Sequence, residues 1–276
     1  MGPAHAAPEA PAAPAAPAGQ AAEVAGGLAV AERGYALDLL DEQLPAGPAQ
    51  TLAFRILGPD GAPVLAYDEE HEEDLHLIAV RRDLTGYQHV HPELDADGTW
   101  RTPLALTPGS WRLFADFVPS DLGADLTLGA DLAVPGEFAP EPLPEPSATA
   151  QVDGYTVTLD GGLAPGRESA LTLTISRDGQ PVTDLQPYLG AYGHLVALRA
   201  GDLAYLHVHP ADDGARPGPE VAFAATAPSA GDYRLFLDFR HGDAVHTAAF
   251  SVRAGQDGAV APAPDGPEPA GHGHGG

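Results

Sequence analysis

Two stretches of the chain are apolar at almost every position rather than at every second one. They are HLIAVR at residues 76–81 and HLVALR at residues 194–199. Apolar side chains on both faces of an extended segment predict a central strand of a sandwich, covered on both sides. Around them lie shorter runs with strand-like patterning, at residues 35–40, 51–57, 99–106, 111–118 and 125–134, then 155–159, 169–177 and 233–239. Turn sequences such as GPDG, DADG and TPGS separate these runs. Short strands punctuated by Gly and Pro in this way predict an all-β sandwich.

The second half of the pattern replays the first. DGAPV at 60–64 matches DGQPV at 178–182, and WRLFADF at 111–117 matches YRLFLDF at 233–239. The offset is 118 residues through the middle of the repeat and 122 at its last pair. A repeat of that length predicts a duplicated domain rather than a solenoid. The expected organisation is two tandem sandwich domains at residues 32–136 and 151–254, joined by a Pro-rich linker at 137–150. Residues 1–31 form an Ala/Pro-rich tether, and residues 255–276 form a disordered tail ending GHGHGG.

Composition narrows the chemistry. Among 276 residues, 39 are acidic and 13 basic, all of the latter arginine, for a formal charge of −26. Such a surface repels nucleic-acid phosphate and anionic lipid, and attracts cations. The absence of cysteine excludes disulfides, thiolate sites and iron–sulfur clusters, and the single methionine is residue 1. Any bound metal must therefore use imidazole, carboxylate, backbone or water. No run of 18 apolar residues is present, and no basic segment followed by an apolar one opens the sequence.

Histidine supplies the candidate chemistry. Six of the 12 histidines fall into one repeated H-x12-H-x-H frame: His76 with His89 and His91, and His194 with His207 and His209. Each pair sits in a near-copied string, YQHVHP or YLHVHP. On a strand, residues i and i+2 share a face, so each pair offers two convergent imidazoles. An earlier strand can bring the third. Clustered imidazoles suit Cu(II), Zn(II) and Ni(II) rather than Ca(II) or Mg(II). His71, inside DEEHEED, adds an imidazole among carboxylates in the first copy. His246, matched by offset to Leu128, adds one in the second, which makes the second copy read as the better equipped. Asp116 and Asp238 lie inside aromatic-rich strands, where a carboxylate needs a partner. Each could orient an imidazole, pair with Arg81 or Arg199, or bind metal itself.

The strings HEEDLHLIAVRRDLTGYQHVHP and YLGAYGHLVALRAGDLAYLHVHP resemble bacterial, largely actinobacterial, extracytoplasmic proteins associated with heavy metals or copper. The resemblance covers residues 32 to about 252. It implies immunoglobulin-like domains and a secreted or membrane-tethered location. The expected function is a copper-binding protein of the cell envelope, with Cu(II) as the first expectation and zinc as the second. Storage, buffering or delivery to a membrane or secreted cuproprotein are the expected roles, with no nucleic-acid partner. A mononuclear copper or zinc enzyme is one alternative, and a metal-free structural or interaction module is another. No G-x-S-x-G, H-E-x-x-H or phosphate-binding glycine loop is present to favour catalysis.

Overall fold

The computed structural model describes residues 26–206, 208–211 and 216–255, and of His209 only the backbone. All regular structure among the described residues is strand, so no helix there is long and apolar enough to cross a membrane. The first half contributes β1 (Ala31–Glu32), β2 (Tyr35–Leu39), β3 (Gly47–Leu57), β4 (Tyr67–Asp68) and β5 (His76–Arg81). It continues with β6 (Gln88–Val90), β7 (Glu93–Leu94), β8 (Trp100–Leu106), β9 (Gly109–Pro119) and β10 (Leu126–Val134).

These strands form two sheets, ordered β1-β2-β3-β8-β7 and β10-β9-β5-β6. Read from β2, that is the A-B-E-D and G-F-C-C′ arrangement of an immunoglobulin-like sandwich. The alternation in β8 shows how the sequence builds it. Trp100, Thr102, Leu104 and Leu106 are buried, while Arg101, Pro103 and Ala105 face water. The core between the sheets gathers Phe54, Ile56, Trp100, Trp111, Leu113 and Phe117 with their neighbours.

The second half repeats the arrangement with β11 (Thr149–Val152), β12 (Tyr155–Gly161), β13 (Glu168–Arg177), β14 (Gln180–Pro181) and β15 (His194–Arg199). Then come β16 (Tyr205–Leu206), β17 (Val208–Pro210), β18 (Glu220–Thr226), β19 (Gly231–His241) and β20 (Ala244–Ala254). Its sheets are β11-β12-β13-β18-β17 and β16-β15-β19-β20. The copies differ where the histidine strings cross between sheets. Val90 pairs with Leu77 on β5, whereas its counterpart Val208 pairs with Ala225 on β18, in the opposite sheet.

The continuous apolar run of β5 has a cause that lies outside its own domain. Leu77 and Ala79 face the core of their sandwich, but Ile78 and Val80 face outward. In the second domain Leu195 and Ala197 face inward, and Val196 and Leu198 outward. The two outward faces pack on each other, joined by Phe114, Leu84, Leu203 and Phe236, and every member of this cluster is buried. The Tyr87 ring stacks on Phe236 at 4.0 Å and 7°, and Tyr205 lies 5.6 Å from Phe114. The sheets carrying His76 and His194 therefore meet face to face about a pseudo-twofold axis.

Phe236→Ala removes the Tyr87 stacking partner and is expected to cost about 3–5 kcal/mol, the usual range for emptying a buried phenylalanine site. Urea unfolding would measure it. A change below about 1 kcal/mol would mean that this contact does not hold the halves together.

Two segments expected to be spacers are instead packed. Residues 26–30, placed by composition in the tether, run beside β10: Gly27 N–H donates to Thr127 O at 2.9 Å and Gly129 N–H to Ala29 O at 2.8 Å. Gly26 O also accepts from Tyr205 N–H at 3.0 Å, so this strap touches both halves. Gly27 has φ +70°, and a Cβ there would lie 2.3 Å from the Phe114 ring. Backbone hydrogen bonds and this close approach override the low-complexity composition. In the linker, Leu143 packs against the interdomain cluster and Ser147 N–H donates to Ser251 O at 3.0 Å.

Candidate metal centre

The site begins with two adjoining devices on the first domain. Gly86, at φ +68°, turns the chain into β6, and a Cβ there would meet the Trp111 ring at 2.7 Å. The strand that follows alternates as expected. Val90 packs toward the domain core, while Tyr87 packs into the interdomain cluster. His89 and His91, the same side of the strand as Tyr87, meet His76 there. The ring centroids of His76 lie 5.3 Å from His89 and 5.0 Å from His91, and His89 and His91 are 5.0 Å apart.

The second device is the turn that ends the acidic segment. Glu70 and Glu73 exchange two backbone hydrogen bonds of 3.0 Å. The residues between them, His71 and Glu72, have φ of 49° and 67°. Positive φ at both central positions is what a type I′ turn requires, and it is unfavourable for side chains other than Gly and Asn. The second domain builds the same turn from Tyr188, Leu189, Gly190 and Ala191. Each turn presents one carbonyl to a buried histidine. His76 Nε2–H donates to Glu70 O at 3.0 Å, and His194 Nε2–H donates to Tyr188 O at 2.8 Å. A ring nitrogen facing a carbonyl must carry the proton, so Nδ1 of each is left with a bare lone pair.

His89 is fixed from the other domain. Its Nδ1 lies 3.1 Å from Asp238 Oδ2, and a carboxylate at that position holds the proton on Nδ1. The free Nε2 of His89 then points at the free Nδ1 of His76, 3.1 Å away. Two lone pairs so placed repel, and either a proton shared between the nitrogens or a metal cation relieves the contact. His91 adds a third nitrogen: its Nδ1 is 3.6 Å from Glu73 Oε1, and its buried Nε2 has no hydrogen-bond partner. One ligand nitrogen from each of His76, His89 and His91 lies within 4.8 Å of the other two. Ring movements on the order of an ångström bring all three to the distance of about 2.0–2.1 Å that an imidazole–metal bond needs.

Electrostatics favours the ligating form. Burial, reinforced by neighbouring imidazoles, lowers the pKa of His76 to about 3 and that of His91 to about 4. His194 falls to about 4 for the same reasons. Neutral imidazole is the metal ligand, so no proton need leave these rings before a metal binds near neutral pH.

His71 and His194 close the space from opposite sides, with ring centroids 5.2 Å apart, and His89 and His194 are 6.3 Å apart. The cavity between the domains, about 70 Å³, is lined by these rings with Glu70, Asp116 and Tyr205. Asp116 and Asp238 occupy equivalent places, opposite His76 and His194 in the strand register. Thr127 donates to Asp116 at 2.8 Å and Thr247 to Asp238 at 2.5 Å. Burial pushes the Asp116 carboxyl up to about 6. The alternative pairing with arginine is not what forms: Arg81 bridges to Asp83 and Glu141, and Arg199 to Asp202.

The remaining sequence candidates divide. His207 and the side chain of His209 lie outside the described residues. His246 is turned away from the cluster. Its strand register opposes Phe239, one position past the Asp238–Thr247 pair, so alternation puts it on the opposite face from His194. Its Nδ1 meets Asp153 Oδ2 at 2.8 Å, and its ring lies against Tyr155. Because Thr127 opposes Asp116 as Thr247 opposes Asp238, the counterpart of His246 is Leu126 rather than Leu128. Among the described residues the group of three is in the first copy; the matching pair of the second, His207 and the His209 side chain, lies outside them. Sequence reasoning also missed Tyr188, whose carbonyl orients His194. Its signal is the matching spacing of Glu70 and Tyr188 ahead of their histidines.

The chain belongs to the family described as Domain of unknown function (DUF8832), which matches it twice, over residues 29–129 and 150–256. No curated protein gives a significant match. Among solved structures it is similar to the Escherichia coli adhesin FdeC, at 15% identity over 82% of this chain and 66% of that one, with a TM-score of 0.26. It is similar to Salmonella alpha-2-macroglobulin at 14% identity, over 85% of this chain and 15% of that one, with a TM-score of 0.29. For the fibronectin(III)-like modules of Clostridium thermocellum CbhA the identity is 12%, the coverage 79% and 92%, and the TM-score 0.20. At TM-scores this low, the sandwich assignment stands on the strand order itself.

Proposed function

We propose that this duplicated DUF8832 chain is a metal-binding protein of the cell envelope that holds Cu(II) between its two domains, for storage, buffering or delivery. The observation that carries the reading is the convergence of three ring nitrogens: Nδ1 of His76 and Nε2 of His89 lie 3.1 Å apart, and the buried Nε2 of His91 has no hydrogen-bond partner. An imidazole-only set favours Cu(II) over the other divalent ions of the first row, with Zn(II) next to it in the series. The charge of −26 draws cations toward the cleft. The envelope location is supported by the resemblance of the histidine strings and by a ligand set without thiol or thioether, which suits an oxidised ion.

The test is metal analysis of untagged protein in which the terminal His272 and His274 are replaced by alanine, followed by Cu(II) and Zn(II) titration. One tightly held Cu(II) per chain, with Zn(II) bound more weakly, is the expected result. A chain that takes up neither ion, and whose melting temperature responds neither to them nor to chelator, would leave a structural role for the cluster instead.

A further inference from the structure

The triad belongs to the first domain, but what orients it belongs to the second. We infer that Asp238 is a positioning residue acting across the domain interface, so that metal occupancy at the triad and docking of the two domains form one coupled equilibrium. The inference rests on the metal reading above.

Asp238 is 2% exposed and has three partners, of which two are in the other domain. Its Oδ2 receives His89 Nδ1 at 3.1 Å and the Tyr87 hydroxyl at 3.2 Å, while Oδ1 receives Thr247 at 2.5 Å. The Thr247 bond and the β15–β19 register hold the carboxylate in place from within its own domain. Only when the domains are docked does His89 have a carboxylate behind it. That carboxylate selects the tautomer with Nε2 free and raises the basicity of that nitrogen toward a metal. Undocked, the ring loses both its orientation and its tautomer. Docking also brings the His194 ring, held through Nε2–H by Tyr188 O, to 6.3 Å from the His89 ring. Coupling of this kind is reciprocal: whatever factor docking adds to metal affinity, metal adds to the docking equilibrium.

Cu(II) affinity and electron-paramagnetic signature, measured on the full chain and on Asp238→Ala and Asp238→Asn variants, test the inference. Asp238→Ala should bind Cu(II) about 10- to 100-fold more weakly and lose one coordinated imidazole from the spin-echo pattern. Asp238→Asn keeps an acceptor oxygen for His89 Nδ1–H and should recover part of the affinity and the lost imidazole. In parallel, spin labels at Ala62→Cys and Gln180→Cys, both exposed positions in a chain without native cysteine, report the interdomain distance. Adding Cu(II) should narrow that distance distribution in the wild-type background and fail to do so with Asp238→Ala. If wild-type protein binds Cu(II) at the triad but Asp238→Ala binds it equally well with the same imidazole count, the coupling is wrong and the metal reading stands. Unaltered label distances on Cu(II) addition would likewise overturn it. If wild-type protein binds no Cu(II) at all, the metal reading itself has failed.

Discussion

Replacing His89 and His91 together by alanine is expected to eliminate Cu(II) binding between the domains. A residue that only orients a metal ligand is worth about 10- to 100-fold in affinity. Removing two of the three converging nitrogens leaves His76 Nδ1 as the last of them, so the loss should exceed about 100-fold. The fold should survive the change. The intervening Val90 keeps its place against the core, and β6 is the outermost strand of its sheet. Asp238 retains Tyr87 and Thr247 as partners when His89 is gone. Circular dichroism of the variant should therefore match that of the parent while calorimetric titration shows no tight Cu(II) uptake. A variant that keeps one tight Cu(II) per chain would move the site away from this triad.

The metal-free protein is expected to lose stability steeply as pH falls from about 6.5 toward 4. His76 is held down to about 3, and His91 and His194 to about 4, from an ordinary value of 6.5, burial being the largest cause in each. Below 6.5 the unfolded chain takes up protons at these three positions and the native chain does not. Acid therefore favours the unfolded state, and the stability that these groups contribute is complete only above that value. Each histidine adds up to about 1.4 kcal/mol per pH unit. Asp116 works in the opposite direction: its carboxyl, raised to about 6 from 3.8, binds a proton more readily in the folded chain and offsets roughly one histidine. The net slope is about 3 kcal/mol per pH unit between pH 6 and 4.5. Urea midpoints of chelator-treated protein at pH 7, 6 and 5 give the measurement. A midpoint that does not move over that range would show that the three rings are not buried as neutral groups.

Much of this was legible in the chain because strands have a period of two. HVHP puts its histidines on one face whatever the surroundings, and the distance back to His76 fits one adjacent strand. The duplication made the same inference available twice. What the pattern could not carry is the identity of the surface opposite an outward face. The runs at 76–81 and 194–199 read as central strands covered on both sides, but the pattern does not say that the cover over Ile78, Val80, Val196 and Leu198 is the other domain. For the same reason Asp238 was readable as a residue that orients an imidazole, while its partner, His89, lies 149 positions away in the other half. His246 shows how little error is needed. A shift of two in the assumed alignment hides which neighbour it opposes, and a single step in strand register exchanges the two faces of a sheet.

The face-to-face packing of the halves has a consequence beyond the site. Both copies use the same outer face, Tyr87 on Phe236 and Tyr205 on Phe114, which is the geometry of an isologous contact drawn inside one polypeptide. Between separate molecules such a contact would form only as protein concentration allows. Here the linker keeps the two faces at an effective concentration on the order of millimolar. Docking of the faces, and with it assembly of the pocket they enclose, is therefore independent of how dilute the protein is, and metal supply is what shifts it.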